Sequence, residues 1–318
     1  MESHAQSPLP CQAEGDNEAQ GTTERIFTLT DLMVFVSSIL WGMGTVVTKM
    51  AFWEILPWNF LFLRNIPSVL LSWGFLRLTE GSLNGSPKPW KEFMKLGFLG
   101  QTLPPLFWSF GLSLTTASNA ALMSSTAPLF TTMYVAIFEK ERIGPKGWLG
   151  VVMAFGGIYL ILSGQGGEIH LTWSSVKGDL IILFSTLFWS YYTIAVGHSL
   201  QRYSNLRVTT FAMAFGALFL IPPSTGQILA QDWGAISIFS WGLALYAALF
   251  NTVVPMLLWN AGVSGIGPSR TMLYQYVSPV VTILASILFL GETMTVTKLI
   301  GAVVVLGGIY LARVGDRL

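Results

Sequence analysis

Pro104-Pro105-Leu106-Phe107-Trp108 is matched by Pro255-Met256-Leu257-Leu258-Trp259, and 255 − 104 = 151. Pro128 and Pro279, Glu141 and Glu292, and Gly150 and Gly301 keep the same spacing. Gly156-Gly157-Ile158-Tyr159-Leu160 recurs 151 residues later as Gly307-Gly308-Ile309-Tyr310-Leu311. Pro, Trp, Glu and Gly anchor this ungapped register, which apolar composition alone would not produce. Two related halves facing each other across a membrane are how many carriers build a central substrate site, so the repeat makes transport the leading expectation.

The rest of the composition supports a membrane class. Hydrophobic residues make up 52% of the 318 and charged residues only 10%, with a mean hydropathy of +0.59. Soluble domains carry about a quarter charged residues, so this chain has too few to cover a water-facing surface. Its Lys and Arg lie between apolar runs rather than in a patch, which argues against nucleic acid as a partner. The lone Cys11 excludes a disulfide framework or a cysteine metal site, and His4, His170 and His198 are far apart. Neither a cofactor nor a metal is expected. Residues 1–25 are rich in Glu, Gln, Ser, Pro and Gly and read as a disordered tail. They lack the features of a signal peptide.

A helix needs about 20 mainly apolar residues to cross a bilayer. On that criterion ten spans are expected, centred near Leu40, Val69, Leu106, Phe130, Phe155, Phe188, Ala214, Phe250, Ile283 and Val305. Each half (26–165 and 166–318) then holds five, an odd number, so the second half enters from the opposite side and the repeats are inverted. With the N-terminus inside, Arg25, Arg77, Lys88, Lys91, Lys95, Lys140, Arg142, Lys146, Arg202, Arg207, Arg270, Arg313 and Arg317 gather on the inner side. Lys177 and Lys298 lie outside, with Lys49 and Arg64 near outer helix ends. The positive-inside rule therefore places both termini in the cytoplasm. In that orientation the Asn84-Gly85-Ser86 sequon faces inward, where it is not modified.

Trp41-Gly42 with Lys49, Arg64, Thr116-x-Ser118-x-Ala120-Ala121-Leu122 through Pro128, Glu141-Arg142, Gly150 and Gly156-Gly157 form one set of signatures. Pro279, Gly291-Glu292, Gly301 and Gly307-Gly308 form its second copy. Together they resemble the drug/metabolite transporter superfamily, specifically its EamA type with two tandem repeats. The resemblance implies an all-α, ten-helix bundle around a central cavity in the cell (inner) membrane, exporting or exchanging small metabolites such as amino acids. The second copy has Val196-Gly197-His198 where the first has Lys49, so any role of Lys49 is not duplicated.

Candidate substrate-binding residues come from polar stripes. Ser37, Trp41, Thr45 and Lys49 follow one another at i, i+4 on the first span, and Ser185, Trp189 and Tyr192 do so at i, i+4, i+7 on the sixth. Such stripes turn away from lipid. They either line a pocket or cement helix packing. A charge at depth is expensive, so Lys49 either holds a substrate carboxylate or snorkels outward; for Arg64 snorkelling is favoured. Gln101 and Trp108 flank Pro104-Pro105, and Asn251 precedes Pro255, where a proline frees a carbonyl about one turn earlier. Those prolines, with Pro128 and Pro279, are hinge candidates. Tyr274, Gln275, Tyr276 and Ser278 cluster before Pro279, with Tyr274 and Ser278 expected on the cavity face. Glu141 and Glu292 close their spans and are expected to cap or pair at the gates.

These features define a secondary carrier working by alternating access, with no catalytic residues. The partners expected are a small-molecule substrate and the lipid bilayer, with a homodimer left open. Every acidic residue falls near a helix end or in a loop, which favours facilitated efflux or exchange over tight proton coupling. A channel, or a non-transporting scaffold or sensor, is the alternative.

Overall fold

A computed structural model describes residues 28–81, 89–138, 144–163 and 173–314. The N-terminal tail, the Asn84-Gly85-Ser86 sequon, Glu141 and the expected half boundary near Gly166 lie outside those residues. All regular structure among the described residues is helical. In the first half, α1 (Leu29–Ala51) and α2 (Pro57–Glu80) are followed by α3 (Trp90–Leu96), a π-helical turn (Gly97–Thr102) and α4 (Leu103–Leu114) in one continuous run. Then come α5 (Ala117–Ser124), α6 (Ala127–Phe138) and α7 (Pro145–Ser163). The second half opens with α8 (Trp173–Leu200) and α9 (Asn205–Ala230). It continues with α10 (Ile238–Ala248), a second π turn (Leu249–Val253) and α11 (Val254–Ile266). A short α12 (Pro268–Thr271) leads through a 3-10 segment (Met272–Tyr276) into α13 (Val277–Leu290), and α14 (Val296–Val314) ends the chain's described part. Each expected span centre falls inside one of these helical stretches.

Five of the described runs are long and apolar enough to cross a membrane: Leu29–Ala51, Trp173–Leu200, Asn205–Ala230, Ile238–Ile266 and Met272–Leu290. Others are apolar but shorter, such as Pro145–Ile161 and Val296–Gly308, or carry more polarity. Helix α2 contains Asn59, Arg64, Asn65 and Arg77, and α3 opens with Lys91, Glu92 and Lys95. The outward faces expose Leu70, Leu78, Leu245, Leu288 and Tyr310 by more than 60% each. An apolar exterior of that extent needs an apolar solvent.

The helices of the two halves interleave. Helix α1 packs on α11 and α13, whereas its counterpart α8 packs on α4, α5 and α6. Helix α7 lies along α14, and glycine sets that approach. A Cβ on Gly157 would fall 2.7 Å from the Gly301 carbonyl, and one on Gly308 would fall 2.7 Å from that of Gly150. Only the second glycine of each pair does this, since Gly156 and Gly307 face open space. The last turn of α1 and the first turns of α8 meet around one residue. Lys49 Nζ donates to the Thr115 carbonyl (2.6 Å), and the Thr115 hydroxyl donates to Asp179 (2.6 Å).

Helix starts are capped as their sequences dictate. Thr28 and Asp31 form a reciprocal capping box on α1, while Thr116, Ser204 and Ser237 cap α5, α9 and α10. Between α1 and α2, Glu54 accepts from the Ser237 N–H (2.7 Å). That amide, followed by the hydroxyls of Ser237 and Ser240, holds the Glu54 carboxyl below its ordinary range. A depressed carboxylate contributes its tie above the unfolded pKa and loses it as pH falls through the folded value. Protection of the Ser237 amide from hydrogen exchange should therefore drop on acidification through the carboxylate range. Glu54→Gln should remove that pH dependence.

Candidate functional site

The two π turns occupy the same place in the repeat, since 253 − 102 = 151 and each is followed at its second α-helical residue by Pro104 or Pro255. Proline cannot donate to the carbonyl a turn earlier, and the chain absorbs the mismatch with one extra residue per turn. The Leu103 N–H reaches back to Phe98 and the Val254 N–H to Leu249, five residues in each case. A threonine hydroxyl braces each turn: Thr102 donates to the Gly97 carbonyl and Thr252 to that of Ala247, both at 3.0 Å. The proline carbonyls are taken up across the halves. Ser185 donates to Pro104 (2.9 Å) and Ser37 to Pro255 (2.8 Å). These π insertions re-aim side chains, a common device at functional sites, and here they point Gln101 and Asn251 inward.

A central cavity of ≈ 160 Å³ opens between the halves. Its walls include Trp41 and Thr45 of α1, Arg64 of α2, Gln101 and Pro104, Trp108, Trp189 of α8, Asn251, and Gln275 with Ser278. Trp41 and Trp189 meet edge to face at 5.3 Å, and Trp259 packs on both at 5.2 and 5.7 Å. Trp108 donates from Nε1 to Ser124 (3.1 Å). The repeat-equivalent tryptophans thus part ways: Trp108 lines the cavity, whereas Trp259 is fully buried behind it.

Other expected residues lie elsewhere. Lys49 Nζ donates to the Leu112 (2.8 Å) and Thr115 carbonyls, so it caps the C-terminus of α4 and neither lines the cavity nor snorkels. Tyr192 is fully buried behind the wall, stacked on Trp189 at 5.5 Å. Tyr274 points away from the cavity, donating to Asp31 at 2.7 Å. Ser278 does line the cavity, but with Gln275 rather than Tyr274 beside it, because the 3-10 segment Met272–Tyr276 turns 120° per residue rather than 100° and shifts which residues align. Pro128 and Pro279 are the second and third residues of α6 and α13, immediately after a helix break or the 3-10 turn, rather than mid-helix. Pro255 is buried and accepts from Ser37. Glu292 accepts from the Ala117 N–H (2.7 Å), the Ser118 N–H (3.0 Å) and the Ser118 hydroxyl (2.6 Å), closing the N-terminus of α5.

Two aspartates form a pair that sequence reasoning passed over. Asp31 and Asp179 are both fully buried, and 179 − 31 = 148 is also the Trp41–Trp189 spacing. Asp31 pairs with Arg270 (2.9 Å) and accepts from Tyr274. Asp179 accepts from Thr115 and from Asn119 (3.1 Å). Arg270 and Asn119 are themselves equivalent, since 270 − 119 = 151. The same repeat position thus makes an ion pair with Arg270 at one end of the bundle and accepts from Thr115 and Asn119 at the other. Around the second, Lys49 and Lys298 both lie in the field of Glu292. The tryptophan spacing was the signal that would have found the pair. Among the described residues no three His, Cys, Asp or Glu side chains are arranged to hold a metal.

Interleaved apolar helices enclosing a polar-rimmed cavity define a multi-pass membrane protein. Residues 28–163 and 176–314 each match the EamA-like transporter family. The chain belongs to that family. It is 32% identical over 221 residues to the uncharacterized transporter YyaM of Bacillus subtilis strain 168, covering 70% of this chain and 72% of that one. An uncharacterized transporter of Archaeoglobus fulgidus is 24% identical across 89% of this chain and 96% of its own. A solved structure described only as the crystal structure of a protein shares the fold, with a TM-score of 0.63 at 19% identity over 91% of this chain and 97% of that one.

Proposed function

We propose that the chain is a secondary transporter of small metabolites, amino acids or related organic solutes, working by alternating access as an exporter or exchanger. In this reading ten helices in two inverted five-helix repeats (26–165 and 166–318) span the cell (inner) membrane, with both termini cytoplasmic. The observation that carries it is the central cavity, whose walls come from both halves at the paired π turns. Membership of a transporter family supports it, and so does the closure at each end of the bundle. The Asp31–Arg270–Tyr274 cluster would close one end, and the Thr115–Asn119–Asp179 network with Glu292 the other. Opening one while the other stays shut is the bistability that alternating access requires.

Counterflow in proteoliposomes tests this. Vesicles preloaded with one amino acid or organic acid should take up its labelled form saturably, without any ion gradient. Linear, unsaturable flux would make the protein a channel. No exchange by folded protein across a broad panel would remove the transport reading.

A further inference from the structure

Arg64 is the charged residue on the cavity wall. It lies seven residues into α2, roughly 10 Å along the helix from Pro57. Its neighbour one turn on, Ser68, donates to the Ala248 carbonyl (3.0 Å) and so fixes α2 against the start of the second π turn. Arg64 thus lines the cavity from a helix fixed in place. Its Nε is sealed from solvent and meets no acceptor, and among the described ion pairs none includes it. Three other cations are engaged by partners: Arg207 with Glu80, Arg270 with Asp31, and Lys49 with two carbonyls.

No Asp or Glu lines the cavity. A cation held at membrane depth without a counter-charge is expensive, and intramembrane charges of that kind mark ligand paths. The same cavity is lined by the indoles of Trp41, Trp108 and Trp189. A cavity of about this volume accommodates one benzene-sized molecule. An anionic end and an apolar body are thus provided for within one space.

We propose that Arg64 is the anion-binding residue of the cavity and that its ligand is a small organic carboxylate whose apolar part rests on the tryptophans. The guanidinium offers a planar fork matched to a carboxylate. This deepens the carrier reading by naming the substrate class, and it assigns to Arg64 the task that Lys49, fixed on α4, does not perform.

The test is binding, read by thermal unfolding of the full-length protein in detergent. The probes are isosteric pairs: isovalerate and isovaleramide, phenylacetate and phenylacetamide, L-leucine and L-leucinamide, with sodium phosphate and chloride alongside. At least one carboxylate should raise the Tm of the wild type by several degrees while its amide does not. Arg64→Gln should unfold at a higher temperature than the wild type without ligand, because an uncompensated charge is gone, and should lose the carboxylate shift. Arg64→Lys should keep the preference at about tenfold weaker apparent affinity. Equal shifts from acid and amide, a shift that survives in Arg64→Gln, or no shift from any carboxylate would overturn the assignment. An equal shift from phosphate or chloride would make this an inorganic anion site and would also overturn it. The wild-type comparison needs no variant to fold. Carboxylate binding without counterflow would sink the carrier reading alone, whereas counterflow unimpaired in Arg64→Gln would sink the Arg64 assignment alone.

Discussion

Gly100→Ala should cause the largest loss of stability of any single methyl added to this protein. A Cβ at Gly100 would sit 1.9 Å from Cδ2 of Tyr192 and 2.5 Å from Cγ, far inside contact distance. The ring cannot retreat. Tyr192 is fully buried, stacks on Trp189, and directs its hydroxyl at Met256 Sδ (3.7 Å). Ordinary overpacking costs about 1–3 kcal/mol, and this site belongs at or beyond the top of that range. Gly100 also lies within the π turn that carries Gln101, so the displacement passes directly into the cavity wall. Thermal unfolding in detergent should show a lowered Tm, and pairing Gly100→Ala with Tyr192→Leu should recover much of it. A tolerated single variant would mean that the π turn is looser than its packing indicates.

The second large effect is on flux. Trp41→Ala and Trp189→Ala should each reduce transport at least tenfold while the protein still inserts and purifies as a monodisperse species. Both indoles face the cavity and touch each other, so each truncation removes substrate wall and widens the site. Trp259→Ala provides the contrast. That ring is fully buried and lines nothing, so its loss should act mainly on stability, by about 3–5 kcal/mol. Comparable flux in Trp41→Ala, Trp189→Ala and the wild type would remove both residues from the site.

The contrast between these residues also marks what was legible in the sequence. The 151-residue register announced two matched halves, and its prolines marked the places where the helices yield. Trp41, Thr45, Gln101, Trp108, Trp189, Asn251 and Gln275 were all named from polar stripes and proline flanks, and all lie on the cavity wall. Lys49 and Arg64 both departed from their expected situations, for a physical reason. Periodicity tells which residues share a helix face, but not which neighbour that face meets. The α4 carbonyls ended within reach of Lys49 and a void within reach of Arg64. Tyr274 gave way to Gln275 beside Ser278 because a 3-10 turn changes the angular step, which an α-helical pattern does not anticipate. Asp31 and Asp179 were discounted for lying near helix ends, although at a closed end of a bundle that is where a buried latch is wanted.

Accessibility of the cavity from both sides of the membrane tests the alternating-access account most directly. Ser124 lines the cavity and accepts from Trp108, so Ser124→Cys in a Cys11→Ser background gives one small thiol at the site. Sealed vesicles of known orientation would be treated with a membrane-impermeant thiol reagent, outside or trapped inside. The account predicts labelling from either side, slowed in both cases by a saturating transported substrate. Labelling from one side only, whatever the substrate, would contradict it.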